Sequence, residues 1–151
     1  MNKKQKSLTN KGFSLVELII VIAIMAGMGC VLAPQFLKYV EQSRRSTDIQ
    51  NAENIKTAIL ADIADGKITG SSPAAGAAFS DYSASPAAGT VVASTITTAP
   101  LVQGNLGSLH GTKFTVVYNA TNGTCSVQLT NGGTTYELTN PDDANDYKIA
   151  N

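Results

Sequence analysis

Chemically reactive side chains are scarce in this chain. Two cysteines and one histidine are present among 151 residues. Zinc sites need clustered Cys and His ligands at short spacings, and Cys30, His110 and Cys125 form no such cluster. A disulfide needs its two Cα atoms within about 7 Å. Cys30 falls inside a long apolar run and Cys125 in a β-like segment, so both read as free, buried thiols. His110 has no acidic or cysteine motif beside it and reads as a solvated loop residue. No nucleophile–base set and no phosphate-binding loop stands out. These absences remove the common routes to catalysis, and the expectation is a protein that is not an enzyme.

Charge is sparse as well, and unevenly placed. Eleven basic and eleven acidic residues balance overall. Lys3, Lys4, Lys6 and Lys11 precede Phe13, and no acid does. Without those four lysines, seven basic residues face eleven acidic ones, a side-chain balance of about −4. Nucleic-acid binding usually shows as a basic patch or stripe. The bulk chain has none, so no nucleic-acid partner is expected for it.

What the chain does have is one uninterrupted apolar stretch. Residues 18–33 read LIIVIAIMAGMGCVLA. With residues 13–17 this makes about 21 residues, or roughly 31 Å of helix, near the thickness of a bilayer's hydrocarbon core. The preceding lysines would keep the N-terminus on the cytoplasmic side. Three readings compete: a secretory signal peptide, a lipoprotein signal ending at Gly29-Cys30, and a permanent membrane helix. Glu17 discriminates among them. An acid at the start of the apolar segment weakens a signal peptide. In the bilayer a carboxylate costs on the order of 2.5–3.5 kcal/mol, so it needs a partner or a function. The lipoprotein reading fails further, because the apolar run continues beyond Cys30 through Val31, Leu32 and Ala33.

The residues around Glu17 carry a resemblance. Lys11-Gly12-Phe13-Ser14-Leu15-Val16-Glu17-Leu18 resembles the class III signal of type IV pilins and pseudopilins. Pro34 stands at that family's usual proline position, and Phe36 and Tyr39 follow as aromatics. The resemblance spans about residues 11–66. It implies that a prepilin peptidase removes a basic leader, residues 1–12, by cutting between Gly12 and Phe13. The same enzyme would then N-methylate Phe13. It also implies a single-pass subunit held in the inner or cytoplasmic membrane and then assembled by pilus machinery. The product would be an extracellular, homo-oligomeric helical filament, serving adhesion, motility or related surface functions. A pseudopilin of a type II secretion or competence DNA-uptake system shares the motif and remains the alternative. A membrane-anchored ligand-binding protein is a more distant one.

Glu17 has a physical role in this scheme. The cut leaves a free amine on Phe13, one helical turn before Glu17. In a stack of helices, the amine of one subunit can pair with Glu17 of its neighbour, so that neither charge is buried alone. Glu17 thereby sets the assembly register, and N-methylation keeps the amine charged.

The helical pattern continues beyond the membrane segment. Ile49, Ala52, Ile55, Ile59 and Ile63 recur at spacings of three and four. Gln42, Arg45, Asp48, Glu53, Lys56 and Asp62 are assigned to the other faces, and Gly66 to the C-cap. The expected helix covers residues 13–65, with 13–33 as transmembrane segment or filament core. Its weakest part should be residues 27–34, where Gly27 and Gly29 precede Pro34. The resemblance implies that Pro34 kinks the helix and that this stretch unwinds in part within the fibre.

Residues 66–151 form the expected globular head. Residues 66–112 read as loop, with a short helix near 74–79 and a strand over 90–98. Residues 113–139 read as a three-stranded antiparallel meander. Phe114, Val116 and Tyr118 share one face there, as do Cys125, Val127 and Leu129, and Tyr136 with Leu138. An apolar sheet face needs a cover, which the amphipathic half of the helix supplies. The expected fold is α+β: a long N-terminal helix, half membrane-like and half amphipathic, packed on a small antiparallel sheet as a "lollipop". Residues 140–146 read as an acidic, turn-prone loop. Asp142, Asp143 and Asp146 are the weak candidates for a calcium site; otherwise no metal or cofactor is expected. Asn119-Ala-Thr121 and Asn122-Gly-Thr124 match glycosylation sequons.

Overall fold

Apolar residues at helical spacing dominate the first third of the chain, and they form one long helix. The computed structural model describes residues 12–83 and 85–150. The expected leader therefore lies outside the described residues, apart from Gly12. Helix α1 runs Leu15–Ala64, with Pro34 inside it. The chain divides into two compact units, Met1–Lys38 and Tyr39–Asn151. The first contains the apolar part of α1. The second contains the remainder of α1 together with the sheet.

Helix α1 ends as its sequence directs. Gly66 takes a left-handed φ of 72°. Its N–H donates to Ile63 O at 3.0 Å and that of Lys67 to Asp62 O at 2.9 Å. These are the two bonds of a Schellman motif, which satisfies the last helical carbonyls.

Beyond α1 the chain forms β1 (Ala77–Phe79), β2 (Thr90–Val91), β3 (Thr115–Asn119), β4 (Thr124–Asn131), β5 (Thr134–Glu137) and α2 (Pro141–Ile149). The strands make one mixed sheet in the order β2-β1-β3-β4-β5. Strands β3, β4 and β5 are the antiparallel meander, with Val116 opposite Val127 and Leu129 opposite Tyr136. Strand β1 pairs antiparallel with β3, and β2 runs parallel to β1.

Three local expectations need correction. Residues 77–79 are a strand rather than part of a short helix. Their side chains alternate, and Ala77 and Phe79 are buried. The strand expected over 90–98 is limited to Thr90–Val91; Ala93 and Ile96 then close a turn by an N–H···O bond of 3.3 Å. The acidic stretch 140–146 is not a loop. Asn140 caps α2 by accepting from Asp142 N–H, and Pro141 opens the helix. Asp142 and Asp143 lie in its first turn and Lys148 in its last, both favourable to the helix dipole.

The core of the second unit joins helix and sheet. Ala52, Ile55 and Ile59 of α1 cluster with Phe79, Phe114, Val116, Val127, Leu129, Leu138 and Tyr147. Ile49, Ile63, Tyr118, Cys125 and Tyr136 pack against this cluster, partly buried. The amphipathic stripe read from the sequence is thus the face that covers the sheet. Fully burying an isoleucine contributes about 1.5–3 kcal/mol. The fold is α+β, as expected from the sequence, but the sheet is mixed and not purely antiparallel, because β2 pairs in parallel with β1.

Candidate functional site

The first unit presents an apolar surface without cover. Phe13 is 87% exposed, and the large apolar side chains from Leu15 to Leu37 are all exposed. The most apolar 18-residue window of α1 has a mean hydropathy of 2.6, and none of it is buried. By length and composition this segment can cross a membrane. An apolar surface this large does not stand free in water. It needs lipid or another chain.

At the start of this surface sit Gly12, Phe13 and Glu17. Helix α1 begins at Leu15, which places Glu17 in the first turn. Its Oε2 accepts the backbone N–H of Ser14 at 3.0 Å. This is half of a capping box: Ser14-Leu-Val-Glu17 has the S-x-x-E pattern, with the glutamate reaching back to the residue that opens the helix. The S-x-x-E pattern is legible in the sequence. An ionised carboxylate offers about four lone-pair sites, so this bond leaves Glu17 able to take a second donor. The fold places no demand for glycine at position 12, where an added Cβ would meet nothing within 4 Å. Cys30 is exposed on the apolar helix, contrary to the expectation of a buried thiol, because the single chain offers nothing to cover it.

The second unit holds two buried polar networks that the sequence reading missed. Arg45, Asp48 and Asp62 were assigned to exposed faces; they are 5%, 0% and 3% exposed. The signal was available. Positions 45, 48, 52, 55, 59 and 62 follow the same three–four spacing, so the buried stripe simply extends through charged residues at both ends. Asp48 accepts Gln103 N–H at 2.7 Å, Gly104 N–H at 2.8 Å and Tyr147 O–H at 2.8 Å. Three donors make burial of the carboxylate tolerable. Gly104 is required there, since a Cβ would press on Tyr147, Arg45 and Asp48. Arg45 pairs with Glu41 at 2.8 Å and donates to the Tyr147 carbonyl at 3.1 Å and to that of Ala150. Its guanidinium carbon lies 5.8 Å from the centroid of the Tyr147 ring. This network ties α2 and residues 103–105 to α1.

Burial raises the Glu41 carboxyl, but bonds from Asn105 N–H and Arg45 outweigh it and hold the group below its ordinary 4.5. Asp62 behaves likewise. Burial opposes ionisation, while the Ser94 hydroxyl and N–H and the Lys67 ammonium bring the carboxyl below its ordinary 3.8. Burial, with Asp48 beside it, pushes the Tyr147 phenol upward. Burial also pushes the Cys125 thiol up to about 11, which leaves it protonated and unreactive at neutral pH.

These networks brace the fold and bring no nucleophile to a base. His110 is exposed, its Nδ1 3.0 Å from the Gln103 carbonyl. Asp142 and Asp143 serve α2, Asp143 also accepting Glu137 N–H at 3.3 Å. Among the described residues, no group of three or more His, Cys, Asp and Glu is placed to hold a metal ion. Two open clefts, of about 370 and 430 Å³, have mixed polar and apolar linings and share Tyr118.

Comparison with known proteins bears on the N-terminal region. Residues 8–26 match the prokaryotic N-terminal methylation motif. A type IV major fimbrial protein FimA of Dichelobacter nodosus is 37% identical over 60 residues, covering 40% of this chain and 38% of the relative. A fimbrial protein of the same organism is 34% identical over 68 residues, 44% of this chain and 42% of the relative. The chain thus spans about two fifths of the length of these relatives. No solved structure matches.

Proposed function

We propose that this chain, which belongs to the type IV pilin family, is a structural subunit of a type IV pilus filament. The observation that carries the proposal is an ionisable Glu17 at the head of an exposed apolar helix, one turn after an exposed Gly12-Phe13. The fimbrial relatives and the methylation motif support the same reading. The subunit is stored in the membrane by residues 13–33 and extracted into an extracellular filament by assembly machinery. It acts as a structural protein.

The physical chemistry couples processing to assembly. A peptidase cut between Gly12 and Phe13 removes the basic leader and creates an amine. With the leader attached, Phe13 N is an amide and carries no charge. After the cut the amine of an incoming subunit meets Glu17 of its neighbour. Glu17 keeps the Ser14 N–H and takes the amine as a second donor. Two buried charges that pair and keep their hydrogen bonds avoid the several kcal/mol each would cost alone. Loss of lipid contact is offset by packing of apolar helices against one another. N-methylation of Phe13 preserves the charge and therefore the pair.

Gly12 provides the test. Because the fold makes no use of glycine there, Gly12→Val should leave folding intact while blocking leader removal. The expected result is a full-length species on immunoblots and no surface filaments by electron microscopy. Mature-sized protein from that variant would refute the cleavage assignment.

A further inference from the structure

The chain contains two Asn-Gly pairs, Asn122-Gly123 and Asn131-Gly132. Asparagine before glycine is the arrangement in which the following backbone nitrogen most easily reaches the side-chain amide, because glycine has no Cβ to shield it. Local sequence alone makes the two pairs equivalent. Their surroundings in the fold do not.

Asn122 is exposed at the tip of the β3–β4 hairpin, with exposed residues on both sides. Its backbone N–H donates to the Asn119 side chain at 3.1 Å, as does that of Thr121 at 3.0 Å. Asn119 thereby organises the turn, and the carboxamide of Asn122 has no hydrogen-bond partner among the described residues. A Cβ added at Gly123 would meet nothing within 4 Å, and the same holds at Gly132, so both reacting nitrogens are open and the difference lies in the asparagine side chains. Asn131 is different. It is the last residue of β4, paired across the ladder with Thr134. Its carboxamide lies against the backbone of Gly107, so closely that a Cβ there would collide with both its oxygen and its nitrogen. To react, Asn131 must leave that packing and distort the end of a strand.

We propose that Asn122 is a spontaneous deamidation site in the folded protein and that Asn131 is protected. The Gly123 backbone nitrogen gives up its proton to solvent and attacks Asn122 Cγ. The new N–C bond closes a five-membered imide, and the Cγ–Nδ2 bond breaks with release of ammonia. Water then opens the imide at either carbonyl, giving aspartate or isoaspartate, with no oxidant or reductant required. Either product adds one negative charge at the hairpin tip. Either also destroys the Asn122-Gly-Thr124 sequon, so deamidation and glycosylation at this position exclude one another. The isoaspartate product lengthens the main chain by one carbon in a turn, where such a change is tolerated best. The conversion marks subunit age, and it does not depend on the filament assignment.

The test is incubation of the full chain in detergent micelles at mildly alkaline pH, followed by digestion and fragment-ion sequencing. Residues 114–148 lie between two lysines and hold both pairs in a single tryptic peptide, so each asparagine is the other's internal control. The expected result is a gain of one dalton at Asn122 several-fold faster than at Asn131, with the difference collapsing in urea. Asn122→Gln should abolish the fast gain and leave the rate at Asn131 unchanged. Equal rates in the folded protein, or a faster gain at Asn131, would overturn the proposal.

Discussion

At the residue scale, Glu17 has two roles that must be separated. It caps its own helix through Ser14 N–H at 3.0 Å, and in the proposed filament it receives a neighbour's amine. Capping alone is worth about 1 kcal/mol. Glu17→Gln separates the roles, since glutamine also serves at the third position of a capping box but carries no charge. The variant should be processed normally and still begin α1 at Leu15, yet filament yield should fall steeply. Immunoblots of membrane and sheared fractions measure both. Wild-type filament yield from Glu17→Gln would leave Glu17 as a helix cap and remove the charge-pair argument. The Glu17 carboxylate was legible in the sequence because its location is energetically costly. Asp48 and Arg45 were not, because their cost is cancelled by partners some 55 to 105 residues away. Long-range hydrogen bonds leave no local pattern.

At the element scale, α1 shows what periodicity can and cannot reveal. Its expected end at Gly66 and its buried face at Ala52, Ile55 and Ile59 follow from local spacing and capping. The antiparallel meander is similarly local, each strand turning into the next. Strand β1 is not legible because three residues carry too little alternation, and β2 is legible only as part of a longer expected strand; the pairing of β2 with β1 and of β1 with β3 is set by tertiary contact. Helix α2 escaped for a different reason. Its acidic run suggested a loop, although Asn140-Pro141-Asp142-Asp143 is a strong helix start. Within α1, Pro34 removes one hydrogen bond, yet the helix continues through residues 27–34. Amide exchange in assembled filaments should be faster over residues 27–34 than over the flanking turns, because Gly27, Gly29 and Pro34 weaken that ladder. Uniform protection along residues 18–45 would contradict partial unwinding.

At the scale of the whole molecule, charge sets the response to acid. Glu41 and Asp62 both lie below their ordinary carboxyl values of 4.5 and 3.8 in the folded state. A depressed carboxyl contributes stability that is complete above its unfolded value and is lost as pH falls through the folded one. Thermal melts followed by circular dichroism should therefore show a midpoint that declines once pH drops below about 4.5. The decline should be shallower in Glu41→Gln, which removes one of the two groups. A midpoint rising on acidification would reverse the sign and contradict these ion pairs as stabilising elements.

In the proposed filament these scales join: one cut would create the amine that one glutamate needs, and the apolar helix would then leave the membrane for a fibre. Mass spectrometry of subunits from sheared surface filaments tests this coupling most directly. The expected subunit begins at Phe13, carries one methyl group on its α-amine and lacks residues 1–12. Filaments built from this chain with its leader intact, or cut elsewhere than before Phe13, would contradict it.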